Sequence, residues 1–205
     1  MKSPRKKRYP DRPYWHWDFD RSKKKGGDAL DGRRNVSSRE ADAPSGDIDA
    51  VLRIGIISDT HGLLRPEAKR RLAGTSHIIH AGDIGRADVL VELGQIAPVT
   101  AIRGNIDTSS WAEQYPDTQV VQLGMWRFYI LHDLQKLKID PPASGIHVVI
   151  SGHSHRPRIE TIGGVLYLNP GSAGPRRFKL PVTLATLELT ASGLSPLIHD
   201  LTTAE

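Results

Sequence analysis

Seven side chains able to hold a metal fall along this sequence in short polar clusters: Asp59-Thr60-His61, Gly82-Asp83, Gly104-Asn105, His132 and Gly152-His153-Ser154-His155. Imidazole suits Zn, Mn, Fe, Co and Ni, while carboxylate and amide oxygens shift the preference toward harder ions such as Mn or Fe. The chain contains no cysteine, so thiolate zinc sites, iron–sulfur clusters, disulfides and thiol nucleophiles are all excluded. Residues i and i+2 of an extended chain project to the same side, so Asp59 with His61, and His153 with His155, are each expected to aim at one locus. Seven ligands are too many for one tetrahedral ion and suit two ions that share a bridge. Asp83, central in the series, is the natural bridging carboxylate.

Two divalent cations balanced by Asp59, Asp83 and a shared hydroxide leave about one net positive charge, so the site is expected to bind an anion. A pair of ions about 3.5 to 4 Å apart, with a hydroxide whose pKa they have lowered, suits in-line attack on phosphorus. Phosphoester hydrolysis is the expected chemistry, with manganese first among the metals and nickel, iron or zinc as alternatives.

These clusters need rigid elements to converge, and each follows an apolar stretch. Val51 to Ser58 reads as a strand buried on both faces, Pro66 to Leu72 as a helix opened by proline, and His77 to Ala81 as a second strand. Ala87 to Ile96 places Val89, Leu90, Leu93 and Ile96 at helical spacing, and Val99 to Ile102 reads as a third strand, completing a βαβαβ unit. The second half changes character: Val120 to Leu123 and Trp126 to Leu131 flank Gly124, and Ile159 to Ile162 and Val165 to Leu168 flank Gly163-Gly164. Val182 to Leu189 precedes Ser192-Gly193, and all three regions read as hairpins. With Ile146 to Ser151 as a further buried strand, the expected class is α/β: two mixed β-sheets packed face to face with flanking helices. In open α/β sheets ligands gather at the carboxyl ends of strands, which is where the seven residues fall.

A chain of 205 residues, 38% apolar and 25% charged, suits one catalytic domain, expected over residues 51–205. No apolar run approaches the roughly 18 residues of a membrane span, so no membrane association is expected. The net charge of +5 is confined to residues 1–47, which carry 13 Lys plus Arg against 8 Asp plus Glu, whereas residues 48–205 carry 15 of each. With blocks such as Arg5-Lys6-Lys7-Arg8 and few aliphatic side chains, residues 1–47 read as a disordered basic extension. They lack the apolar core of a secretory signal, and their acidic residues argue against a transit peptide, so a cytoplasmic location is the expectation.

The clusters, together with Ile56-Ile57-Ser58, His80-Ala81, Arg103 and Asn169-Pro170-Gly171-Ser172, resemble the calcineurin-like metallophosphoesterases over about residues 51 to 190. The similarity is greatest to the small single-domain YfcE-like phosphodiesterase branch. The resemblance implies a two-sheet α/β sandwich in which Asp59, His61, Asp83 and His155 hold one metal and Asp83, Asn105, His132 and His153 the other. It also implies that Asn105 donates to a phosphate oxygen, which makes Asp83 and Asn105 the catalytic pair acting on a small phosphoester. Two alternatives accompany it: a non-catalytic protein-binding scaffold, as a retromer subunit of this fold is, and a nucleotide or nucleic-acid phosphodiesterase assisted by the basic extension.

Two positions depart from the family pattern. Ile106 stands where many members have a His that protonates the leaving oxygen, and it can neither give nor take a proton, so Asp107 or a bound water is the candidate substitute. Asp133 follows His132 where Gly is usual, and the short stretch to Ile146 with Pro141-Pro142 suggests a smaller cap and an open site. His80 is expected to support a ligand through a hydrogen bond, and His77, His147 and His199 to be surface or strand-end residues. Arg176 and Arg177, on the loop after Ser172, either grip substrate phosphate or are solvated charges. Asn169-Pro170-Gly171-Ser172 itself reads as a turn.

Overall fold

A computed structural model describes residues 51–202. The basic extension expected over residues 1–47 lies outside the described residues.

The apolar run after Val51 forms β1 (Leu52–Ile57), and the alternation continues through α1 (Pro66–Leu72), β2 (His77–His80), α2 (Ala87–Gly94) and β3 (Val99–Ala101). These three strands are parallel, β1 beside β2 and β2 beside β3. On the other side of β1 lie the antiparallel β9 (Thr183–Leu189) and then β10 (Leu194–Asp200), giving the order β10-β9-β1-β2-β3. Pro196 falls in β10, at the sheet edge, where a missing N–H costs no ladder bond to a further strand.

The second sheet has the order β4-β5-β6-β8-β7 and is built from β4 (Thr118–Leu123), β5 (Trp126–Leu131), β6 (Val148–Ile150), β7 (Arg158–Ile162) and β8 (Val165–Asn169). Its three central strands, β5, β6 and β8, run parallel, while β4 and β7 are antiparallel edges supplied by the two expected hairpins.

One face of each sheet meets the other. Ile54, Ile56 and Ile79 from the first sheet pack with Phe128, Ile130, Val148, Ile150 and Leu168 from the second, and all are buried. This is the face-to-face pair of mixed sheets expected from the sequence. The outer face of the first sheet is covered by Ala68 and Leu72 of α1 and Val89, Leu90 and Leu93 of α2. A Cβ at Gly55 would overlap the Leu72 side chain, so this glycine lets α1 approach β1 closely.

The outer face of the second sheet carries no helix of comparable length. The stretch after β5 lies there instead, with Leu134, Leu137 and Ile139 against Leu131, Ile146, Val149 and Val165. Asp133 caps its short 3-10 turn, Leu134–Lys136, by accepting from the Gln135 N–H at 3.0 Å. Leu134, Leu137 and Ile139 therefore serve as cladding for the sheet. Among the described residues no helix is long and apolar enough to cross a membrane.

Candidate metal centre

The carboxyl ends of β1, β2 and β3 and those of β5 and β6 bring the seven expected ligands together. Asp59 Oδ1 lies 3.1 Å from His155 Nε2, and Asp59 Oδ2 accepts from the His153 backbone N–H at 3.1 Å. His61 Nε2 is 3.5 Å from His155 Nε2 and 3.9 Å from Asp83 Oδ2. Asp83 Oδ1 is 3.3 Å from His132 Nε2, the His132 and His153 rings are 5.3 Å apart, and Asn105 Nδ2 lies 3.1 Å from His153 Nδ1. Asp59, Asp83, His132 and His155 are buried, whereas Asn105 and His153 are exposed, so the cluster has a closed floor and an open mouth.

The ligand atoms of Asp59, His61 and His155 lie within 4.8 Å of one another, as do those of Asp59, Asp83 and His132. Asp59 is thus common to both triads. Asp83 also reaches both sides, with one oxygen toward His61 and the other toward His132.

The backbone reaches this arrangement by a route different from the extended i, i+2 projection expected from the sequence. Asp59, His61, Asp83, His153 and His155 have φ of 54°, 46°, 53°, 66° and 56°, all in the left-handed region that L-residues usually avoid. β1, β2 and β6 therefore break at their carboxyl ends into tight loops, and it is the loop that aims these side chains. Such strain persists only where surrounding contacts fix it. Here the contacts are backbone hydrogen bonds between loops: Asp59 N to Gly82 O, His61 N to Asp83 O and Gly62 N to Ile84 O, at 3.0, 3.0 and 2.7 Å.

The residues fit divalent cations on the evidence of their own unsatisfied atoms. Asp59 Oδ1, His132 Nε2 and His155 Nδ1, all of this cluster, are the buried side-chain atoms among the described residues that make no well-formed hydrogen bond; the first two face only other candidate ligands, His155 Nε2 at 3.1 Å and Asp83 Oδ1 at 3.3 Å. An unpaired buried polar atom carries its full desolvation penalty of about 1–3 kcal/mol. His132 Nδ1 donates to the Ala81 carbonyl at 2.8 Å, which turns Nε2 toward Asp83. Burial works against a charge on this ring, but Asp83 and the Ala81 carbonyl outweigh it and raise the His132 pKa. Burial likewise pushes Asp83 up, yet His132, the Ile106 N–H at 3.1 Å and His61 hold it down at about 2. No Cβ can be added at Gly104 without overlapping Asp83, nor at Gly152 without overlapping Ser58, so the loops close on the carboxylates at distances only glycine allows.

Several supporting residues went unread in the sequence or were read differently. Asp107 is buried and accepts from Ile84 N, Gly85 N and Gly104 N at 3.0, 2.8 and 2.8 Å. It ties the loop after β2 to the loop after β3 and is no substitute proton donor. Asn169 is more than a turn residue: its Nδ2 donates to Gly152 O at 2.6 Å, and Ser172 Oγ donates to Asp59 O at 2.9 Å. The polar types of these residues also suit ordinary turns, which hid their role; the signal available was their position just past strands, shared with the ligands.

His80 touches no ligand side chain. Thr60 Oγ1 donates to Ile84 O at 2.9 Å and therefore accepts from His80 Nε2 at 2.9 Å, while His80 Nδ1 accepts from Gly82 N at 3.3 Å. His77, His147 and His199 bond Thr100, the Arg127 N–H and Thr186 respectively, away from the cluster.

Burial lowers the His80 pKa to about 4 from 6.5. Between those values the unfolded chain binds a proton that the folded one does not, so folding stability falls as pH drops through the window, by about 1.4 kcal/mol per pH unit from this group. In the metal-free protein, the loss of stability between pH 7 and pH 5 in urea unfolding is expected to be smaller in His80→Gln than in the wild type. Equal losses would refute the assignment.

Residues 52–192 match the family model described as the calcineurin-like phosphoesterase superfamily domain. A protein of Methanothermobacter thermautotrophicus named a probable metallophosphoesterase is 36% identical over 131 residues, covering 58% of this chain and 76% of its own. A solved structure of an archaeal phosphodiesterase superposes with a TM-score of 0.61 at 25% identity, covering 72% of this chain and all of the other (100%). Vps29 of Chaetomium thermophilum shares the fold, with a TM-score of 0.63 at 20% identity over 73% of this chain and 88% of that one.

Proposed function

Because this chain belongs to the calcineurin-like phosphoesterase superfamily and is a metal-dependent phosphoesterase, we propose that it is a phosphodiesterase working with two divalent cations, manganese foremost, on a small phosphoester. The observation that carries the reading is the convergence of the ligand atoms of Asp59, His61 and His155, and of Asp59, Asp83 and His132, to within 4.8 Å of one another in two triads that share Asp59. Asp59, His61, Asp83 and His155 would hold one ion, and Asp83, Asn105, His132 and His153 the other. The ions, when bound, supply the charge that draws the phosphoryl group in and that acidifies the attacking water.

The chain's own residues do the rest. Asp83, ionised at all working pH values because its pKa lies near 2, presents one oxygen to each side. Asn105, at the exposed mouth, carries a second amide N–H beyond the one facing His153 and is placed to donate it to a phosphate oxygen. No side chain beside it supplies a proton to the leaving oxygen: Ile106 has none, and both oxygens of Asp107 already accept backbone N–H groups. Leaving groups that depart as stable anions are therefore favoured.

The test strips the protein of metal and restores Mn, Ni, Zn or Mg singly. Hydrolysis of bis-p-nitrophenyl phosphate is expected to return with a transition metal. General acid catalysis is worth about 10²–10⁴-fold where it operates, so the rate should fall steeply as the leaving-group pKa rises from aryl to alkyl alcohols. Metal-independent hydrolysis would overturn the function, and equal rates across the alcohol series would overturn the role given to Ile106.

A further inference from the structure

The loop after Ser172 begins against the metal cluster and returns to it. Ala173 N donates to Ser58 O at 3.1 Å, and a Cβ at Gly174 would overlap the carbonyls of Asp59 and Thr60. Three residues later Arg177 Nη2 donates to His61 Nε2 at 3.2 Å. The neighbouring Arg176 instead lies in the field of Asp200 at the end of β10. Adjacent arginines thus serve different surroundings, and only Arg177 reaches the cluster.

Phe178 follows Arg177 and is 94% exposed, with φ of 53°. It is the one residue among the described non-glycine residues with positive φ that is not a candidate ligand. The Leu180 N–H donates to the Arg177 carbonyl at 3.1 Å and closes the turn that presents the ring. Two more apolar side chains lie exposed beside ligands in the chain: Ile106 directly after Asn105, at 45%, and Leu63 two residues after His61, at 39%. Exposed apolar residues thus occur on three loops, two that carry candidate ligands and one whose Arg177 reaches His61.

We infer that Arg177 and Phe178 form a substrate-recognition element, in which Arg177 binds a phosphate oxygen and Phe178 stacks on a flat aromatic or nucleobase group of a nucleotide-type diester. The inference rests on the phosphodiesterase reading and gives that site a substrate class. A guanidinium matches phosphate with paired N–H donors. An exposed ring stacks on any base without reading its sequence, which suits a small nucleotide ester.

The probes are two diesters with the same p-nitrophenol leaving group, methyl p-nitrophenyl phosphate and thymidine 5′-(p-nitrophenyl phosphate), assayed with the metal-loaded full chain. Phe178→Ala is expected to lower kcat/KM about 10-fold on the thymidine ester, with little change on the methyl ester. Arg177→Ala should lower both by about 10- to 100-fold, with partial recovery in Arg177→Lys. Arg176→Ala should leave both unchanged. Calorimetric titration with thymidine 5′-monophosphate is expected to show weaker binding in both the Phe178 and Arg177 variants. Equal responses of the two esters to Phe178→Ala, or unchanged binding in Arg177→Ala, would overturn the element. Absence of metal-dependent turnover of the methyl ester in the wild type would instead overturn the phosphodiesterase reading, leaving the binding titration to decide the fate of the loop.

Discussion

Asp83→Asn is expected to lower metal-supported hydrolysis of bis-p-nitrophenyl phosphate by about 10³-fold, roughly 4 kcal/mol of transition-state stabilisation. The amide keeps the shape of the side chain and an oxygen to accept the Ile106 N–H, which Asp83 Oδ1 now accepts at 3.1 Å. What it loses is a full negative charge between His61 and His132, since the wild-type carboxyl pKa is held down at about 2. Two cations at their proposed separation repel strongly without an anion between them. Metal titration should accordingly show two equivalents bound by the wild type and one or none by the variant. Activity within about tenfold of wild type, a loss of no more than ~1.4 kcal/mol, would refute the shared role of Asp83.

The second large effect is on folding. Asp107→Ala removes a buried carboxylate that accepts three backbone N–H groups, from Ile84, Gly85 and Gly104. Orphaned buried donors cost about 1–3 kcal/mol each where water cannot reach them, so a destabilisation of about 3–5 kcal/mol is expected. Urea unfolding of the metal-free protein measures this apart from catalysis. Asp107→Asn, which retains one carbonyl acceptor, should lose less than half as much. A midpoint in Asp107→Ala equal to that of the wild type would show that the three N–H groups have other partners. Activity should fall with stability in the alanine variant, because Ile84 directly follows Asp83 and the same bonds hold that loop in place.

The candidate ligands are legible because they are chemically conspicuous and follow apolar strands. The Ile-rich run before Asp59 and the Val-rich run before His153 each announce a buried parallel strand, and chemistry at the carboxyl ends of such strands is a property of the architecture. The local geometry was less legible. Asp59 with His61 and His153 with His155 converge through left-handed turns and loop-to-loop hydrogen bonds, which side-chain alternation along a strand does not encode. Asp107 looked like a spare acid because its identity says nothing of its partners, which come from three loop positions up to 23 residues away. The stretch from His132 to Ile146, short and containing Pro141-Pro142, reads in the sequence as a smaller cap. Its destination was decided by the uncovered face of the second sheet, a tertiary property.

The seven candidate ligands come from both sheets: Asp59, His61, Asp83 and Asn105 follow strands of the first, and His132, His153 and His155 follow strands of the second. No short piece of the chain contains a complete binding set, since Asp59 and His155 are separated by 96 positions. If this set holds cations as proposed, their full coordination requires that the two layers have docked. On the proposed reading, ion occupancy would then report finished tertiary structure, and partly unravelled chains would be spared from sequestering metal.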